Sequence, residues 1–367
     1  MQGMDSPLTQ ILDRVRAAAA DGTPLRIRGA GSKDFYGNQL EGQLLETAAL
    51  SGISSYEPSE LVVTVRAGTP LAALEAELQS CGQCLPFEPP RFGGAATVGG
   101  MVAAGLSGPA RASAGAVRDY VLGLGLINGQ AQLLTFGGQV MKNVAGYDVS
   151  RLVTGSLGTL GLITEVSLKV LPVVPAEATL KFELSQIEAL QRLNAWCGRP
   201  LPLNASCWVD DAGVATLYLR LRGAVAAVDA ACASLGGERQ DDDRASTDWT
   251  LCRDQRLPWF EERGERDLWR LSVPQTAPVL DLPEAPLIEW HGAQRWVRTQ
   301  RGDARQVRDA AARAGGHATL FRAGIEGALE GGPFEPLKPP LDRIHRELKK
   351  QFDPAGVFNR GRMYADF

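Results

Sequence analysis

Residues 142–170 read KNVAGYDVSRLVTGSLGTLGLITEVSLKV, and the interpretation of the whole chain rests on them. A polar loop with a glycine leads into a short apolar turn, a glycine-spaced run and then a strand. Successive side chains of that strand point to opposite faces, so each face repeats with a period of two. One face carries Leu162, Val166, Leu168 and Val170, and the other carries Glu165, Ser167 and Lys169. Glycines at steps of three predict positive φ values or close approach to a ligand, and these are Gly155, Gly158 and Gly161. A plain turn before a strand is the alternative.

Composition sets limits on the class of protein. The 367 residues predict two or three folding units with an ample core. Charged residues make up 22%, and the net charge of -4 provides no basic field for nucleic acid or anionic lipid. The N-terminus MQGMDSPLTQ lacks a basic segment followed by an apolar run, and no apolar stretch is long enough for a transmembrane segment. The sequence therefore predicts a soluble, unsecreted protein that does not bind nucleic acid.

Cysteine and histidine spacing gives no support for a metal site. CGQC at residues 81–84 is the one CxxC pair, and no second pair completes four ligands. A redox dithiol or half a metal site is one interpretation, but Cys81 also continues an apolar helix face that begins at Leu71. We expect Thr69 to cap that helix, Pro70 to start it and Cys81 to pack in the core. The three histidines are far apart in sequence and form no ligand pair.

The stretch TPLRIR at residues 23–28 predicts a strand that runs directly into GAGSK at residues 29–33. Such a loop can direct several consecutive N–H groups at an anion, with Arg28 and Lys33 placed to offset phosphate charge. The loop is therefore a candidate diphosphate site. GxG loops are also common turns, and the spacing matches neither a dinucleotide fingerprint nor a P-loop.

A third region of small residues lies between positions 85 and 111, around ATVGG at 96–100. Small side chains would let the backbone lie flush against a flat or bulky group, although a small-residue helix packed on another helix is the alternative. Asn128-Gly129 between alternating apolar runs predicts a two-residue hairpin. One large anionic ligand would explain all three small-residue loops.

The second half of the chain has a different character. PVVP at 172–175 closes the first unit, and ordinary strand and helix patterns follow it. Asp241–Asp243 are interpreted as a solvated turn. A last amphipathic helix has Leu341, Ile344, Leu348 and Phe352 on one face and ends in DPAGVFNRGRMY. We predict strands at 178–184, 205–221, 268–273, 287–291, 294–298 and 317–321, and helices at 186–197, 224–235 and 303–314.

These segments resemble a known family. RGAGSK, ATVGG, KNVAGYDVSRLVTGSLGTLGLIT and DPAGVFNRGRM, in that order, resemble the FAD-binding proteins of the vanillyl-alcohol oxidase and p-cresol methylhydroxylase type. The FAD-binding subunits of bacterial glycolate oxidases resemble the chain from end to end, including EWHGAQRW at 289–296. The resemblance implies an α+β fold: a two-subdomain FAD-binding domain at 1–175, an α+β cap over the flavin at 176–330, and a C-terminal return to the FAD domain at 331–367.

The resemblance also implies which residues bind FAD. Backbone N–H groups of two segments would hold the pyrophosphate: Arg28, Gly29, Ala30, Gly31, Ser32 and Lys33, and Ala96, Thr97, Val98, Gly99 and Gly100. Gly158, Gly161 and Ile163 would line the adenosine end, Ile163 through its backbone. Facing the cofactor or holding its loop would be Asn143, Gly146, Tyr147 and Asp148. Asn359 and Arg362 would return near the isoalloxazine.

Two departures from the family pattern qualify the expected chemistry. Neither GAGSKDFYG nor MVAAGLSGPAR offers the histidine or cysteine that covalent family members attach to the flavin, so we predict noncovalent FAD. The paired histidines of the sibling subunit that oxidises 2-hydroxy acids are also missing, which puts independent catalysis in doubt. As a base we name His291 or Tyr147, and as carboxylate partners Arg295 or Arg91, with a structural role as the alternative for each.

The function that the resemblance implies is that of an FAD-binding subunit in a glycolate dehydrogenase complex. Its partners would be a sibling flavin subunit and an iron–sulfur subunit, and its small-molecule substrate a 2-hydroxy acid. The chain would be cytoplasmic and would reach the inner face of the membrane through partners. One alternative is a standalone FAD oxidoreductase acting on another hydroxy acid or alcohol. The other is a scaffold subunit with a vestigial flavin site.

Overall fold

The computed structural model describes residues 6–39, 41–138, 148–325 and 329–366. Helices are numbered along the chain as α1 Ser6–Asp21, α2 Leu71–Ser80, α3 Val98–Ala104, α4 Arg111–Ala114, α5 Val117–Tyr120, α6 Val149–Val153, α7 Gln186–Cys197, α8 Val225–Leu235, α9 Asp242–Arg253, α10 Pro258–Glu261, α11 Ala304–Arg313 and α12 Leu341–Phe352. No helix in these ranges is long and apolar enough to span a bilayer.

Strands are numbered in the same way. They are β1 Leu25–Arg28, β2 Gln43–Glu46, β3 Ile53–Glu57, β4 Val62–Arg66, β5 Gln83–Cys84, β6 Val121–Ile127, β7 Leu133–Gly137, β8 Leu162–Lys169, β9 Leu171–Pro172, β10 Ala176–Glu183, β11 Leu203–Asp211, β12 Val214–Gly223, β13 Glu238–Arg239, β14 Asp267–Ser272, β15 Leu287–Glu289, β16 Gln294–Thr299 and β17 His317–Arg322. Mixed helices and sheets confirm the α+β fold class.

The strand of the opening stretch, β8, is central in a five-stranded sheet of order β3-β4-β8-β6-β7. Its neighbours β4 and β6 both run antiparallel to it. Val166, Leu168 and Val170 face a core that α2 and α3 cover, as their alternation predicts. Leu162 lies beyond a register shift and packs in a different cluster, against α1 and the C-terminal tail.

A second sheet contains eight strands from residues 176–322, in the order β13-β10-β12-β11-β15-β16-β14-β17. All of its pairings are antiparallel. The five-stranded sheet uses residues 53–169 and the eight-stranded sheet uses residues 176–322, so no strand within the described ranges belongs to both. The domain boundaries at residues 175 and 330 stay predictions.

The C-terminal segment returns to the first unit. Phe358 pairs in parallel with Leu25 of β1, and the α12 residue Lys349 is buried. Lys349 Nζ donates to Asp353 Oδ2 at 2.7 Å and to the carbonyls of Thr159 and Phe358 at 2.8 Å. Asp353 also accepts the N–H groups of Val357 and Phe358. A fully satisfied buried ion pair therefore ties the tail to the loop before β8.

Several local predictions are corrected. The connection between β6 and β7 spans residues 128–132, because Asn128 Oδ1 accepts the N–H groups of Gln130 and Gln132 and forms a longer turn. Thr69 does not cap α2, since its hydroxyl bonds Gly52 instead. Asp241 caps α9 through the N–H of Arg244, so it begins a helix.

The buried pair generates a stability prediction. Asp353→Ala strands the Lys349 ammonium in the interior and frees two N–H groups, so we expect it to lower the free energy of unfolding by about 3–5 kcal/mol. Asp13→Ala is the matched control: Asp13 also pairs with a cation, Arg16, but its side chain is 63% exposed. The control should change stability by about 0.5 kcal/mol or less. Urea denaturation measures both, and equal losses in the two variants would contradict the prediction.

Candidate cofactor site

A cleft of about 480 Å³ is formed by four segments that are distant in sequence. They are the end of β1 with its following loop at 26–34, the start of α3, the turn before β8, and the C-terminal tail. Among the predicted residues, the lining includes Arg28, Gly29, Ala30, Gly31, Ser32, Lys33, Thr97, Gly99, Gly100, Gly158, Gly161, Ile163, Asn359 and Arg362. The structure thus places side by side the three small-residue loops that the sequence connected only through one large anionic ligand.

The loop at 29–33 presents unused backbone donors to the cleft. Within the described residues, the N–H groups of positions 30 to 33 have no hydrogen-bond acceptor. Arg28 pairs with Asp34 across the loop at 2.8 Å, while its Nε is buried without a partner. These N–H groups, called orphaned because they have no acceptor within the protein, are available to an anionic ligand in the cleft.

The start of α3 contributes to the cleft differently from the prediction. The N–H groups of Val98 and Gly99 donate to the carbonyls of Thr69 and Ala67, at 3.0 and 2.7 Å. These two donors are therefore not free to hold a pyrophosphate. Ala96 and Val98 lie in the core and do not line the cleft. This segment instead packs closely against Ala67, since a Cβ on Gly99 would lie 2.6 Å from that of Ala67.

The turn before β8 also packs closely, in this case against the C-terminal tail. Gly158 has φ +73°, and a Cβ there would lie 2.6 Å from Asn359 Nδ2. Gly161 also lines the cleft, and Ile163 turns its side chain into the core, so only its backbone is available to a ligand. Glycine at 158 is therefore required both by its backbone conformation and by its neighbour.

Two tail residues hold the walls of the cleft in place. Asn359 Oδ1 accepts the N–H of Ile27 at 2.8 Å, and its Nδ2 donates to the carbonyl of Leu157 at 2.6 Å. Arg362 donates to the carbonyls of Lys33, Asp34 and Asn38 at 2.8–3.1 Å. Both side chains hydrogen-bond to backbone groups of the cleft walls, so their role is to hold those walls in position.

The cleft has a positive lining. Among the described residues it contains four cations and one carboxylate, Asp34. Burial lowers the pKa of Lys33 to about 8, with Asp254 acting in the opposite direction. Lys33 Nζ otherwise lies near the Phe92 ring and the Ser32 hydroxyl. A half-buried lysine with no ion pair among the described residues, together with the orphaned donors, fits the pyrophosphate of FAD.

Some predicted residues lie elsewhere. Asn143, Gly146 and Tyr147 are outside the described residues. Asp148 caps α6 through the N–H of Arg151, pairs with that side chain at 2.8 Å, and does not line the cleft. Asp148 therefore stabilises the turn that follows the loop.

Three of the four residues named for substrate chemistry are held by contacts within the protein, and the fourth, Tyr147, lies outside the described residues. His291 is buried, with Nε2 3.1 Å from Ser113 Oγ and Nδ1 3.1 Å from Ser206 Oγ, and burial lowers its pKa to about 4. Arg295 donates only to carbonyls, of Gly292, Pro278 and Ala277. Arg91 is paired with Glu75. Both ring nitrogens of His291 are therefore hydrogen-bonded, and both arginines donate to acceptors within the protein.

The cysteine prediction is partly wrong. Cys81 is exposed at the end of α2 rather than packed in the core, and Cys84 is half-buried in β5. Neither forms a disulfide, and no cluster of three metal-ligating side chains occurs in the described part of the chain. The CxxC pair thus shows no feature of a site.

Sequence reasoning missed several lining residues. Arg26 could have been found, because it alternates with Arg28 in TPLRIR and shares its face of β1. Ala103 and Ala104 belong to the small-residue segment that the sequence indicated, whereas the remaining lining residues have no local pattern: Ile27, Asp34, Gln39, Thr47, Ala67 and Leu157. They reach the cleft because β2, β4 and α3 are brought there by tertiary packing.

Comparison with known proteins identifies the family. A family model described as an FAD binding domain matches residues 8–137. Glycolate oxidase subunit GlcE of Escherichia coli (strain K12) is 49% identical over 356 residues, which cover 97% of each chain. Glycolate oxidase subunit GlcD of Bacillus subtilis (strain 168) is 32% identical over 45% of this chain and 36% of its own.

The fold has solved counterparts. An alkyldihydroxyacetonephosphate synthase structure superposes with a TM-score of 0.67 at 16% identity, covering 96% of this chain and 74% of that one. Such low identity shows the fold alone. The end-to-end identity to a glycolate oxidase subunit, together with this fold, shows that the chain belongs to the GlcE family of p-cresol methylhydroxylase-type FAD-binding proteins.

Proposed function

We propose that this chain is the FAD-binding subunit of a glycolate dehydrogenase complex. The observation that carries the proposal is the cationic cleft with orphaned N–H donors, in a chain 49% identical to a glycolate oxidase subunit over nearly its whole length. The complex would oxidise glycolate, a 2-hydroxy acid, to glyoxylate. Electrons would pass through FAD to partner subunits.

The proposed roles follow from the contacts. Lys33, Arg28 and the N–H groups of positions 30 to 33 would bind the pyrophosphate, and Gly158 and Gly161 would admit the adenosine end. Bound FAD supplies a two-electron acceptor for the hydride of the acid. Asn359 and Arg362 would act indirectly, since they hold the loop and the turn at the correct spacing. Asn143, Gly146 and Tyr147 keep their proposed position beside the cofactor.

The proposal includes noncovalent attachment. The described lining of the cleft contains neither histidine nor cysteine, the side chains that covalent relatives use. The proposal also holds that oxidation of the substrate depends on partner subunits. None of the three histidines lines the cleft, and both ring nitrogens of His291 are hydrogen-bonded. Partners of the proposed complex are a sibling flavin subunit and an iron–sulfur subunit. They would hold the cytoplasmic chain at the inner face of the membrane.

An absorption spectrum tests the proposal. The purified chain should be yellow, and heat denaturation should release its flavin into the supernatant. Glycolate should bleach the flavin when the partner subunits are present. Bleaching of the chain alone would instead support a standalone oxidoreductase. A chain that stays colourless after reconstitution with FAD would contradict the proposal and favour a scaffold subunit.

Gly158 provides a steric test of the site. Gly158→Ala places a methyl group against Asn359 and should weaken FAD binding at least about tenfold, because the turn and the tail must separate. Gly22→Ala is the matched control, with a similar φ of +70° but nothing within 4 Å of the new Cβ. Each variant carries a backbone strain of about 1 kcal/mol. Fluorescence titration with FAD gives both affinities, and parallel losses would show that strain alone is responsible.

Lys33 predicts a pH dependence. Its pKa is about 8 in the unliganded protein, and a bound pyrophosphate raises it, so binding takes up a proton above pH 8. FAD affinity should therefore fall as pH rises from about 8, by up to about tenfold per pH unit. Lys33→Met should bind more weakly at pH 7 and lose this dependence. Lys33→Arg should keep its affinity without the dependence, and an unchanged pH profile in Lys33→Met would refute the assignment.

A further inference from the structure

A cavity of about 600 Å³ lies between the eight-stranded sheet and helices α9 and α10. All the residues that line it fall between positions 179 and 298, and none of them lines the cofactor cleft. The cavity is therefore built by the sheet and its own helices and is separate from the proposed FAD site. Its volume is within the range of about 300–1,000 Å³ that is typical of sites for small organic molecules.

Buried side chains form an apolar floor in this cavity. Val209 of β11, Trp249 of α9 and Trp259 of α10 line it and are at most 8% exposed. The Trp249 indole N–H donates to Thr179 Oγ1 at 2.9 Å, and Arg298 Cζ lies 4.6 Å from the Trp259 ring centroid. These contacts fix both indoles before a ligand arrives, so little conformational entropy is lost when an apolar group packs against them.

The mouth of the cavity is acidic. Four exposed carboxylates line it, and none of them forms an ion pair among the described residues; Arg244 is the exposed cation beside them. The Tyr218 hydroxyl donates to Asp211 Oδ2. Burial raises the pKa of Asp248, Arg244 lowers it, and the Asp211 carboxylate raises it further. A positively charged group on a ligand would relieve this repulsion between carboxylates. The acidic lining residues are Asp210, Asp211, Asp248 and Glu262.

Arg298 of β16 adds a buried donor that has no acceptor. Its Nη1 donates to the Trp259 carbonyl at 3.1 Å, and its side chain is 15% exposed. The Nε atom is buried and donates to no acceptor within the described ranges, since Glu284 Oε2 lies 3.7 Å away from it. An unpaired buried donor costs free energy, so an acceptor atom on a bound molecule would be stabilised beside it.

We propose that this cavity binds a small aromatic amine that carries a hydrogen-bond acceptor. The ammonium group lies at the mouth with Asp211 and Asp248, the ring packs on the two indoles of the floor, and the acceptor atom meets Arg298 Nε. The acidic mouth disfavours carboxylates, so the 2-hydroxy acid of the proposed function is not the ligand here. This site goes beyond the proposed function and does not rest on it, because it shares no lining residue with the cofactor cleft.

Isothermal titration calorimetry of the full chain tests the site with two probes. Tyramine carries an ammonium group, a ring and a phenolic oxygen, and para-ethylphenol lacks only the ammonium group. Tyramine should bind at least about tenfold more tightly, because hydrogen bonds to charged groups are the stronger ones. The double variant Asp211→Asn, Asp248→Asn should remove this advantage and leave the Kd for para-ethylphenol unchanged. Asp281→Asn is the control and should change neither Kd, since Asp281 is 84% exposed and does not line the cavity.

A second variant tests the inner contact. Phenethylamine lacks the phenolic oxygen and should bind more weakly than tyramine to the unmodified chain, and Arg298→Met should abolish that difference. The double variant decides the question if Arg298→Met does not fold, since Asp211 and Asp248 are both exposed. Equal Kd values for tyramine and para-ethylphenol, or a Kd for tyramine that the double variant leaves unchanged, would overturn the proposal.

Titrations of FAD-loaded and FAD-free protein separate this site from the proposed function. The Kd for tyramine should be the same in both, because the cavity and the cofactor cleft share no residue. A chain that stays colourless with FAD but binds tyramine supports the site while the proposed function fails. A yellow chain that oxidises glycolate with its partners and gives no heat with tyramine supports the proposed function and overturns the site.

Discussion

The buried Lys349–Asp353 pair is the interaction on which the cofactor cleft depends. Asp353 accepts from Lys349 and from two backbone N–H groups, and Lys349 donates to the carbonyl of Thr159. With both charges satisfied, Phe358 can pair with β1 and Asn359 can bridge β1 to the turn before β8. The C-terminal tail therefore completes a site whose other walls are the loop at 28–33 and the turn at 158–161.

A different set of contacts docks the eight-stranded sheet on the first unit. Trp290 and His291 have φ near +55°, and this turn delivers the indole N–H to the carbonyl of Gly108 and the imidazole to Ser113. Glu88 adds a bridge to Arg220. Such buried polar contacts are directional, so they hold the sheet in one orientation. That orientation places Arg270 against the Tyr36 hydroxyl.

The EWHGAQRW motif shows how a chemically suggestive pattern can be architectural. Histidine and arginine in one short segment are consistent with a base and a carboxylate partner, but here burial keeps His291 neutral, and Arg295 spends its donors on carbonyls. Arg270 has no motif around it, and its Nη2 donates to the Tyr36 hydroxyl. The acceptors that each arginine reaches are set by tertiary contacts, which the sequence does not reveal.

Local patterns determined much of this protein before its structure. The alternation in β8, the position of α12 and the glycine loop at 29–33 follow from short-range periodicity and backbone conformation. The apolar face of α12 does not behave as the pattern suggests, since Leu341 and Ile344 are exposed and Lys349 is buried. Tertiary structure alone decided which donors stay free: the N–H groups of Val98 and Gly99 are used by Thr69 and Ala67, whereas those of positions 30 to 33 are not. It also decided that Thr47, Ala67 and the tail share one cleft. The physical reason is that hydrogen-bond partners come from sequence-distant segments, and local periodicity carries no information about them.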